Sequence, residues 1–286
     1  MFISASLWGL YWVPLRYLET LEISGAWAVA LLNVPAAFVL CTFMFWTRQR
    51  YRGSVGKMLL IGLFTGAGLA LYGSGLVHSS VVRATLLFYL TPVWATLIGI
   101  VWLGERAAWQ RWAAILIGLL GMFMLLSGGG SVPLNIGDVF AILSGMVWAV
   151  GAAMIMRFNK VPVPGMVGIQ FLFTSAIAIL IGVATATATQ YPPATDRLLA
   201  GAPMIFGVSL LAFLPAVCLI FWAQKFLFPG RAGLLMMSEA LMAVLSASLF
   251  LPDEQMSGVA WTGAVLIIAA CLVEVLLTPQ PSATHC

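Results

Sequence analysis

Apolar side chains recur along the chain in ten long stretches, separated by short breaks that carry most of the charged residues. Most stretches approach the roughly 20 residues that a helix needs to cross the hydrocarbon core of a bilayer. None shows the strict apolar–polar alternation of a barrel strand, so we predict helices. The predicted spans 1 to 10 are Phe2–Leu18, Ala26–Trp46, Met58–Val77, Ala84–Leu103, Trp112–Leu126, Val139–Met156, Val167–Ala186, Met204–Ala223, Ala232–Leu251 and Val259–Leu277.

The charges in the breaks predict how these spans are oriented. Ten of the 13 Lys and Arg residues fall in four alternate breaks, at 47–57, 104–111, 157–165 and 225–231. The other breaks hold six of the nine acids, which are Glu19, Glu22, Asp138, Asp196, Asp253 and Glu254. By the positive-inside rule the basic breaks are cytoplasmic. Both termini are therefore predicted to be cytoplasmic, with an even number of spans.

Composition restricts the class of protein. Of the 286 residues, 62% are hydrophobic and 8% are charged, whereas a soluble domain carries about 25% charged residues. This balance argues against a cytosolic enzyme, a nucleic-acid-binding protein and a disordered chain. We expect a multi-pass protein of the cell inner membrane that is solvated by the lipid bilayer and has no nucleic-acid partner. The apolar start at Phe2 is expected to be a first span rather than a cleaved signal peptide.

The two halves of the chain resemble each other. Residues 83–87 (RATLL) are similar to residues 231–235 (RAGLL), and in the same register Thr91 and Pro92 lie opposite Glu239 and Ala240. We predict an all-α fold of ten transmembrane helices in two five-helix repeats, 1–130 and 131–286. An odd number of spans per repeat inverts the second repeat relative to the first. Inverted repeats are typical of secondary transporters, whose substrate site lies near the midplane.

These residues resemble a known family. Ala84 to Glu105 form a span of the pattern Ala-x-Leu-Leu-x-x-Leu-x-Pro closed by Leu-Gly-Glu, which is similar to the repeat of the drug/metabolite transporter superfamily. Leu7-Trp8-Gly9 in span 1 and Glu239 in span 9 are similar to that family too. The layout is closest to the ten-span EamA-type exporters. The second half departs from the pattern, because Ala240 stands where the repeat often has Pro and the span ends with residues 251–254 (LPDE).

The resemblance implies export of amino acids or other small metabolites. It also implies a central cavity built from spans 1, 3 and 4 and their equivalents 6, 8 and 9, with spans 5 and 10 at the periphery. The 11 Trp and 6 Tyr residues resemble the composition of the aromatic amino acid exporters of this group.

Several aromatic residues lie too deep in the spans to belong to interfacial belts. Trp8, Tyr11 and Trp12 share one face of span 1, because they are spaced i, i+3, i+4. Tyr72 lies deep in span 3, Tyr89 and Trp94 flank Pro92 in span 4, and Trp148 in span 6 is the repeat partner of Trp8. If these spans line a cavity, the rings would bind aromatic or mixed apolar solutes and attract an ammonium group. Helix packing is the alternative role.

Ionisable groups inside a bilayer are functional candidates because their burial is costly. Glu239, near mid-depth in span 9, could bind a substrate ammonium or carry a coupling proton; a neutral acid bonded to a neighbouring helix is the alternative. His78, at the outer end of span 3, is a candidate for gating or an interfacial residue without a task. Pro92 frees a backbone carbonyl, so Thr91 is a candidate for substrate binding and Pro92 for gating.

Catalytic constellations are absent from the sequence. It has no H-E-x-x-H, no G-x-S-x-G and no phosphate loop, and its two His residues cannot form a conventional zinc site. We therefore expect no enzyme activity, no cofactor and no bound metal. The prediction is a secondary transporter that exports small metabolites, most of all amino acids including aromatic ones, by alternating access. A multidrug exporter of organic cations on the same scaffold is the alternative, and the oligomeric state is open.

Overall fold

Helices account for every regular element in the part of the chain that the computed structural model describes, which is residues 1–23, 25–79, 81–126, 135–184, 193–250 and 257–277. The first predicted half contains α1 (Phe2–Trp8), α2 (Trp12–Thr20), α3 (Ala26–Trp46), α4 (Val55–His78), α5 (Val81–Phe88), α6 (Thr91–Leu103) and α7 (Trp109–Leu126). The second contains α8 (Ile136–Arg157), α9 (Val163–Ala184), α10 (Thr195–Gly207), α11 (Leu214–Gln224), α12 (Pro229–Met236), α13 (Ser238–Phe250) and α14 (Gly258–Leu276).

Five helical segments in the described ranges are long and apolar enough to cross a membrane: α3, α4, α8, α9 and the continuous stretch Thr195–Gln224. The shorter apolar helices are Thr91–Leu103, Trp109–Met124 and Trp261–Val273. Large apolar side chains face outward; Phe38 is 71% exposed and Val101 85%. Such a surface suits lipid rather than water as its solvent.

Two of the predicted spans in the first half consist of two helices each, because proline interrupts them. In span 1 the regular α-helix is interrupted between Trp8 and Trp12, just before Pro14, although Gly9 and Tyr11 keep helical backbone angles. In span 4 it is interrupted at residues 89–90, and Pro92 is the second residue of α6. Proline has no N–H with which to bond the carbonyl four residues earlier. The hydroxyl of Thr91 donates to the freed Phe88 carbonyl instead.

Span 9 is also divided, although it has no proline at the division. Its helices α12 and α13 meet at Met237. The Ser238 hydroxyl lies 3.0 Å from the carbonyl oxygen of Leu235 and 3.1 Å from that of Phe2, and it can donate to either. The division is therefore held partly by contact with the start of α1. In span 8, π-helical residues Val208–Phe213 join α10 to α11.

Helix α4 joins the two predicted halves, since it packs on α8 and α9 of the second half as well as on α5 of the first. Glycines permit this approach: a Cβ added to Gly66 would lie 2.7 Å from the Gln170 carbonyl oxygen. The close contact of α4 with α9 therefore depends on the absence of a side chain at this position. Helices α7 and α14, the predicted spans 5 and 10, pack mainly on each other.

The loop after α6 contains a buried ion pair that the sequence analysis did not anticipate. We predicted 104–111 to be an exposed basic break, but Glu105 and Arg111 are 5% and 2% exposed. Their side chains form a salt bridge. The Glu105 carboxyl group fits against Gly99, where a side chain would collide with it. The Leu-Gly-Glu motif therefore places the Glu105 carboxylate against the end of span 4, the span that the motif closes.

Candidate functional site

A small cavity lies where both predicted halves meet. Its lining residues come from α1, α4, α5, α8, α9, α11, α12 and α13, and include Trp8, Tyr72, Phe88, Trp148, Gln170, Met236 and Glu239. All six spans named by the family resemblance contribute to this lining, and span 7 adds Gln170. The free volume is about 20 Å³, which is room for about one water molecule. We call this space the central cavity.

Four residues predicted from sequence meet there: Trp8, Tyr72, Trp148 and Glu239. The rings of Trp8, Tyr72 and Trp148 each pack against a further aromatic ring. The ring centroid of Trp8 lies 4.7 Å from that of Phe213, Tyr72 lies 4.5 Å from Phe88, and Trp148 lies 6.3 Å from Phe221. The walls are therefore apolar and carry polar atoms at few points.

Glu239 brings a carboxyl group to this apolar space. It is 1% exposed and is the second residue of α13, where the helix dipole favours negative charge. The hydroxyl groups of Tyr72 and Tyr89 lie within hydrogen-bonding reach of the carboxyl group. Its Oε2 atom has no hydrogen-bond partner among the described residues. One oxygen therefore remains available to a ligand or a proton.

Tyr11 and Tyr89 lie one layer behind the cavity wall. Tyr11 stacks on Trp8 with 5.2 Å between ring centroids and an interplanar angle of 17°. The Tyr89 hydroxyl donates to the carbonyl of Met236 over 2.8 Å. This bond joins the division of span 4 to the division of span 9.

The divided spans come together beside the cavity. Gly9, in the division of span 1, packs so closely on the Glu239 carbonyl that a Cβ at this position would collide with it. Together with the bond between Tyr89 and Met236, this contact brings the divisions of spans 1, 4 and 9 to one place. Divided helices of this kind form the substrate sites of many secondary transporters.

The other predicted residues lie outside the cavity lining. Trp12 donates its Nε1 hydrogen to the Ser246 hydroxyl over 3.0 Å, which links α2 to α13. The Thr91 hydroxyl donates a hydrogen bond to the Phe88 carbonyl, and Pro92 packs on Gly233 of α12. Trp94 is half-buried on α6. Their assigned roles stay predictions.

His78 lies far from these residues, at the last position of α4. It is half-buried, and its ring centroid is 6.1 Å from that of Phe140. The next residue, Ser79, donates its hydroxyl to Asp138 Oδ1 over 2.8 Å, which ties this end of α4 to the capping box of α8. The gating role of His78 stays a prediction.

Sequence reasoning missed Gln170. Its side chain is fully buried, lines the central cavity and has neither amide atom bonded to a described residue. A buried amide without partners is costly, so its burial at this place points to a ligand. The signal was present, because Gln170 is the amide in an otherwise apolar stretch of span 7 and polar groups inside a bilayer mark functional sites.

Metal ligands are not clustered in the described ranges, where no group of three or more His, Cys, Asp or Glu residues could hold an ion. The predicted ionisable residues Arg83, Glu274 and Asp253 lie outside the side chains that the structure describes.

Comparisons with known proteins give partial relatives and solved structures of similar fold. A Vibrio cholerae protein named "Uncharacterized transporter" is 25% identical over 138 residues, which is 45% of each chain. A Rickettsia felis protein named "S-adenosylmethionine uptake transporter" is 28% identical over 133 residues, 46% of this chain and 43% of the relative. The chain thus matches less than half the length of these curated relatives.

One such solved structure is described as "Crystal structure of protein". It has a TM-score of 0.72 and 20% identity, and the superposition covers 96% of this chain and 95% of the other. The model of the EamA-like transporter family, a family of the drug/metabolite transporter superfamily, matches residues 1–127 and again 135–276. These apolar helices therefore form a multi-pass membrane protein, and the chain belongs to the EamA-like transporter family.

Proposed function

We propose that this transporter exports amino acids, aromatic ones included, by alternating access through the central cavity. The observation that carries the proposal is the pairing of Glu239 and Gln170 in a space walled by aromatic rings. The carboxyl group can bind a substrate ammonium, and the amide can donate to a substrate carboxylate. Trp8, Tyr72 and Trp148 then pack on the substrate side chain. Such a site suits a zwitterion with a large apolar side chain.

The size of the cavity supports alternating access. A space for about one water molecule cannot hold an amino acid, so the lining helices must separate before substrate binds. Divided helices are the natural places for such motion, and those of spans 1, 4 and 9 meet beside the cavity. We assign the hinge of span 4 to residues 89–90 with Pro92, and an outer gate to the contact of Ser79 with Asp138 beside His78.

The proposed topology has ten spans in two inverted repeats, 1–130 and 131–286, in the cell inner membrane with both termini cytoplasmic. It is supported by the sorting of charges in the sequence. Single cysteines at Arg50 and Glu22, introduced in a background free of native cysteines, test it. We expect a membrane-impermeant thiol reagent to label position 22 in intact cells and position 50 only after lysis.

S-Adenosylmethionine is a second candidate substrate. The Rickettsia relative carries that name, and the molecule combines an aromatic base and a sulfonium cation with an amino acid group. The buried Glu239 carboxyl group beside Tyr72 and Trp8 would attract such a cation. Uptake in place of export would then be the direction to examine.

Counterflow in proteoliposomes tests these proposals. Vesicles that contain the purified chain and unlabelled phenylalanine should accumulate radiolabelled phenylalanine transiently, and vesicles without protein should not. Competition with tryptophan, leucine, S-adenosylmethionine and tetraphenylphosphonium then ranks the candidates. Inhibition by tetraphenylphosphonium together with no amino acid counterflow would replace the proposal with an organic-cation exporter. Efflux from cells that express the chain decides the direction.

A further inference from the structure

A second cavity opens at the end of the bundle where the basic breaks meet. Its volume is about 540 Å³, within the roughly 300–1,000 Å³ that is typical of ligand sites. Lys57 lines it from α4 and Ser54 from the residue before that helix. Leu103 belongs to α6, residues 156–161 to the end of α8 and the loop after it, and Phe228 is the residue before α12. All four basic breaks thus contribute to it or border it. We call this space the basic pocket.

Three cations line the basic pocket: Lys57, Arg157 and Lys160. No acidic residue is among its lining, and none of the three cations forms a salt bridge with an acid in the described ranges. The described salt bridges elsewhere join Arg16 to Glu19, Arg111 to Glu105 and Arg197 to Glu22. Three cations around one concave space without a counter-charge create a strong positive potential there.

Two of these cations are held in place by aromatic rings. The Lys57 ammonium lies 5.3 Å from the ring centroid of Phe158, and the Arg157 guanidinium lies 5.3 Å from that of Trp102. Arg157 also donates to the Trp102 carbonyl over 3.3 Å. Lys225 donates to the Val161 carbonyl over 3.0 Å and so fixes the loop that carries Lys160. Positioned cations lose less entropy on binding an anion.

We propose that the basic pocket binds a phosphate group. A phosphate offers several oxygen atoms, which suits cations that approach from more than one element. The Ser54 hydroxyl and the Asn159 amide add neutral donors to the same lining. The phosphate can belong to the headgroup of an anionic phospholipid or to a free phosphate. Because the pocket joins α4 of the first half to the α8–α9 loop of the second, the bound group would connect both halves. This proposal does not depend on the identity of the transported substrate.

Native mass spectrometry of the full chain in neutral detergent tests the proposal. Phosphatidylglycerol is titrated against phosphatidylcholine, and we expect one phosphatidylglycerol to be retained preferentially. The double substitution Lys57→Ala/Lys160→Ala should weaken that binding about 30-fold, since each cation near a headgroup contributes about 1 kcal/mol and 1.4 kcal/mol is tenfold. Lys57→Arg/Lys160→Arg should restore it.

The matched control is Arg50→Ala/Arg52→Ala, which also removes two positive charges, from the break at 47–57 that contains Lys57 but outside the pocket lining. We expect less than a threefold change for it.

An equal loss in both double variants, or no preference for phosphatidylglycerol over phosphatidylcholine together with no protection by phosphate, would overturn the proposal. Inorganic phosphate distinguishes the two sources of the phosphate group. If inorganic phosphate displaces phosphatidylglycerol or protects the chain against thermal unfolding, the site binds free phosphate. If it does neither and phosphatidylglycerol is retained, the site binds the lipid headgroup. Monodispersity on size exclusion verifies that each variant is folded.

Discussion

The divisions of spans 4 and 9 occupy equivalent places in the two halves but use different residues. In span 4 the register position holds Thr91, whose hydroxyl bonds the Phe88 carbonyl within the same span. In span 9 it holds Glu239, whose carboxyl group faces the central cavity. Pro92 explains the first division locally, whereas Ala240 stands opposite it and span 9 is divided nonetheless. The division of span 4 is thus explained by a proline in its own sequence, whereas the division of span 9 depends on contacts with neighbouring helices.

This difference shows how two repeats can share one architecture while residues at equivalent positions make different contacts. In the first half, the hydroxyl of Thr91 donates its hydrogen to a backbone carbonyl of its own span. The second half leaves a carboxyl oxygen without a partner among the described residues. Five substitutions test the contrast between the regions around these two spans.

Arg111→Leu should have the largest effect on stability, because it leaves the Glu105 carboxylate at the end of span 4 buried without its ion-pair partner. We expect a loss of about 3–5 kcal/mol in the free energy of unfolding, measured by tryptophan fluorescence during unfolding in mixed micelles. The double substitution Glu105→Leu/Arg111→Leu should regain most of it. Arg16→Leu, which breaks an exposed pair, is the control and should change stability by less than about 1 kcal/mol. A double variant no more stable than the single one would contradict this account.

Glu239→Gln should change transport more than stability. Loss of a buried partner for the substrate ammonium removes about 2 kcal/mol, so the half-saturating amino acid concentration should rise about 30-fold. Downhill flux at saturation should persist, and any stimulation by a pH gradient should disappear if Glu239 carries the coupling proton.

Thr91→Val is the matched comparison for Glu239→Gln, since Thr91 occupies the same register position. Its hydroxyl is engaged locally, so we expect the half-saturating concentration to stay within about threefold of the parent value. Equal shifts in the two variants would remove the asymmetry between the halves.

Tyr89→Phe should have a moderate effect because it deletes the bond to the Met236 carbonyl that joins the two divisions. We expect a loss of about 1 kcal/mol in unfolding free energy, together with a lower maximal flux. Tyr17→Phe, at an exposed position, should leave both unchanged. The proposed link would fail if the two variants behaved alike.

Pro92→Ala should have the smallest effect. Span 9 is divided with Ala240 at the equivalent position, and the Phe88 carbonyl already accepts from Thr91. We expect stability to change by less than about 1 kcal/mol and counterflow to fall less than threefold. A tenfold loss of counterflow would instead identify Pro92 as essential to the hinge.

Periodicity and charge were enough to predict the long helices. The stretch Ala26–Trp46 coincides with α3, since its apolar length is bounded by polar residues on both sides. The divisions were harder: Pro14 and Pro92 signal two of them, but span 9 has no such residue. The buried pair of Glu105 and Arg111 was also out of reach, because the sequence shows two loop charges and not the chain reversal that buries them.

Part of the site could be predicted from helix face, repeat register and depth in the membrane. Trp8 and Trp148 were predicted from face and register, Tyr72 and Glu239 from their depth in spans 3 and 9, and all four line the central cavity. Trp12, on the same face as Trp8, and Trp94, which flanks Pro92, lie outside it, because spacing gives the face of a helix and not the neighbour it meets. Gln170 was missed because a single amide in span 7 belongs to no motif or repeat match.

The narrowness of the central cavity has a consequence for the electrical properties of the membrane. An ion can cross only if water or protein groups replace its hydration at every depth, and a ring-walled space for about one water molecule provides no such continuous path. We therefore expect the conformation described here to conduct no ions, so that its presence in a membrane would leave ion gradients intact.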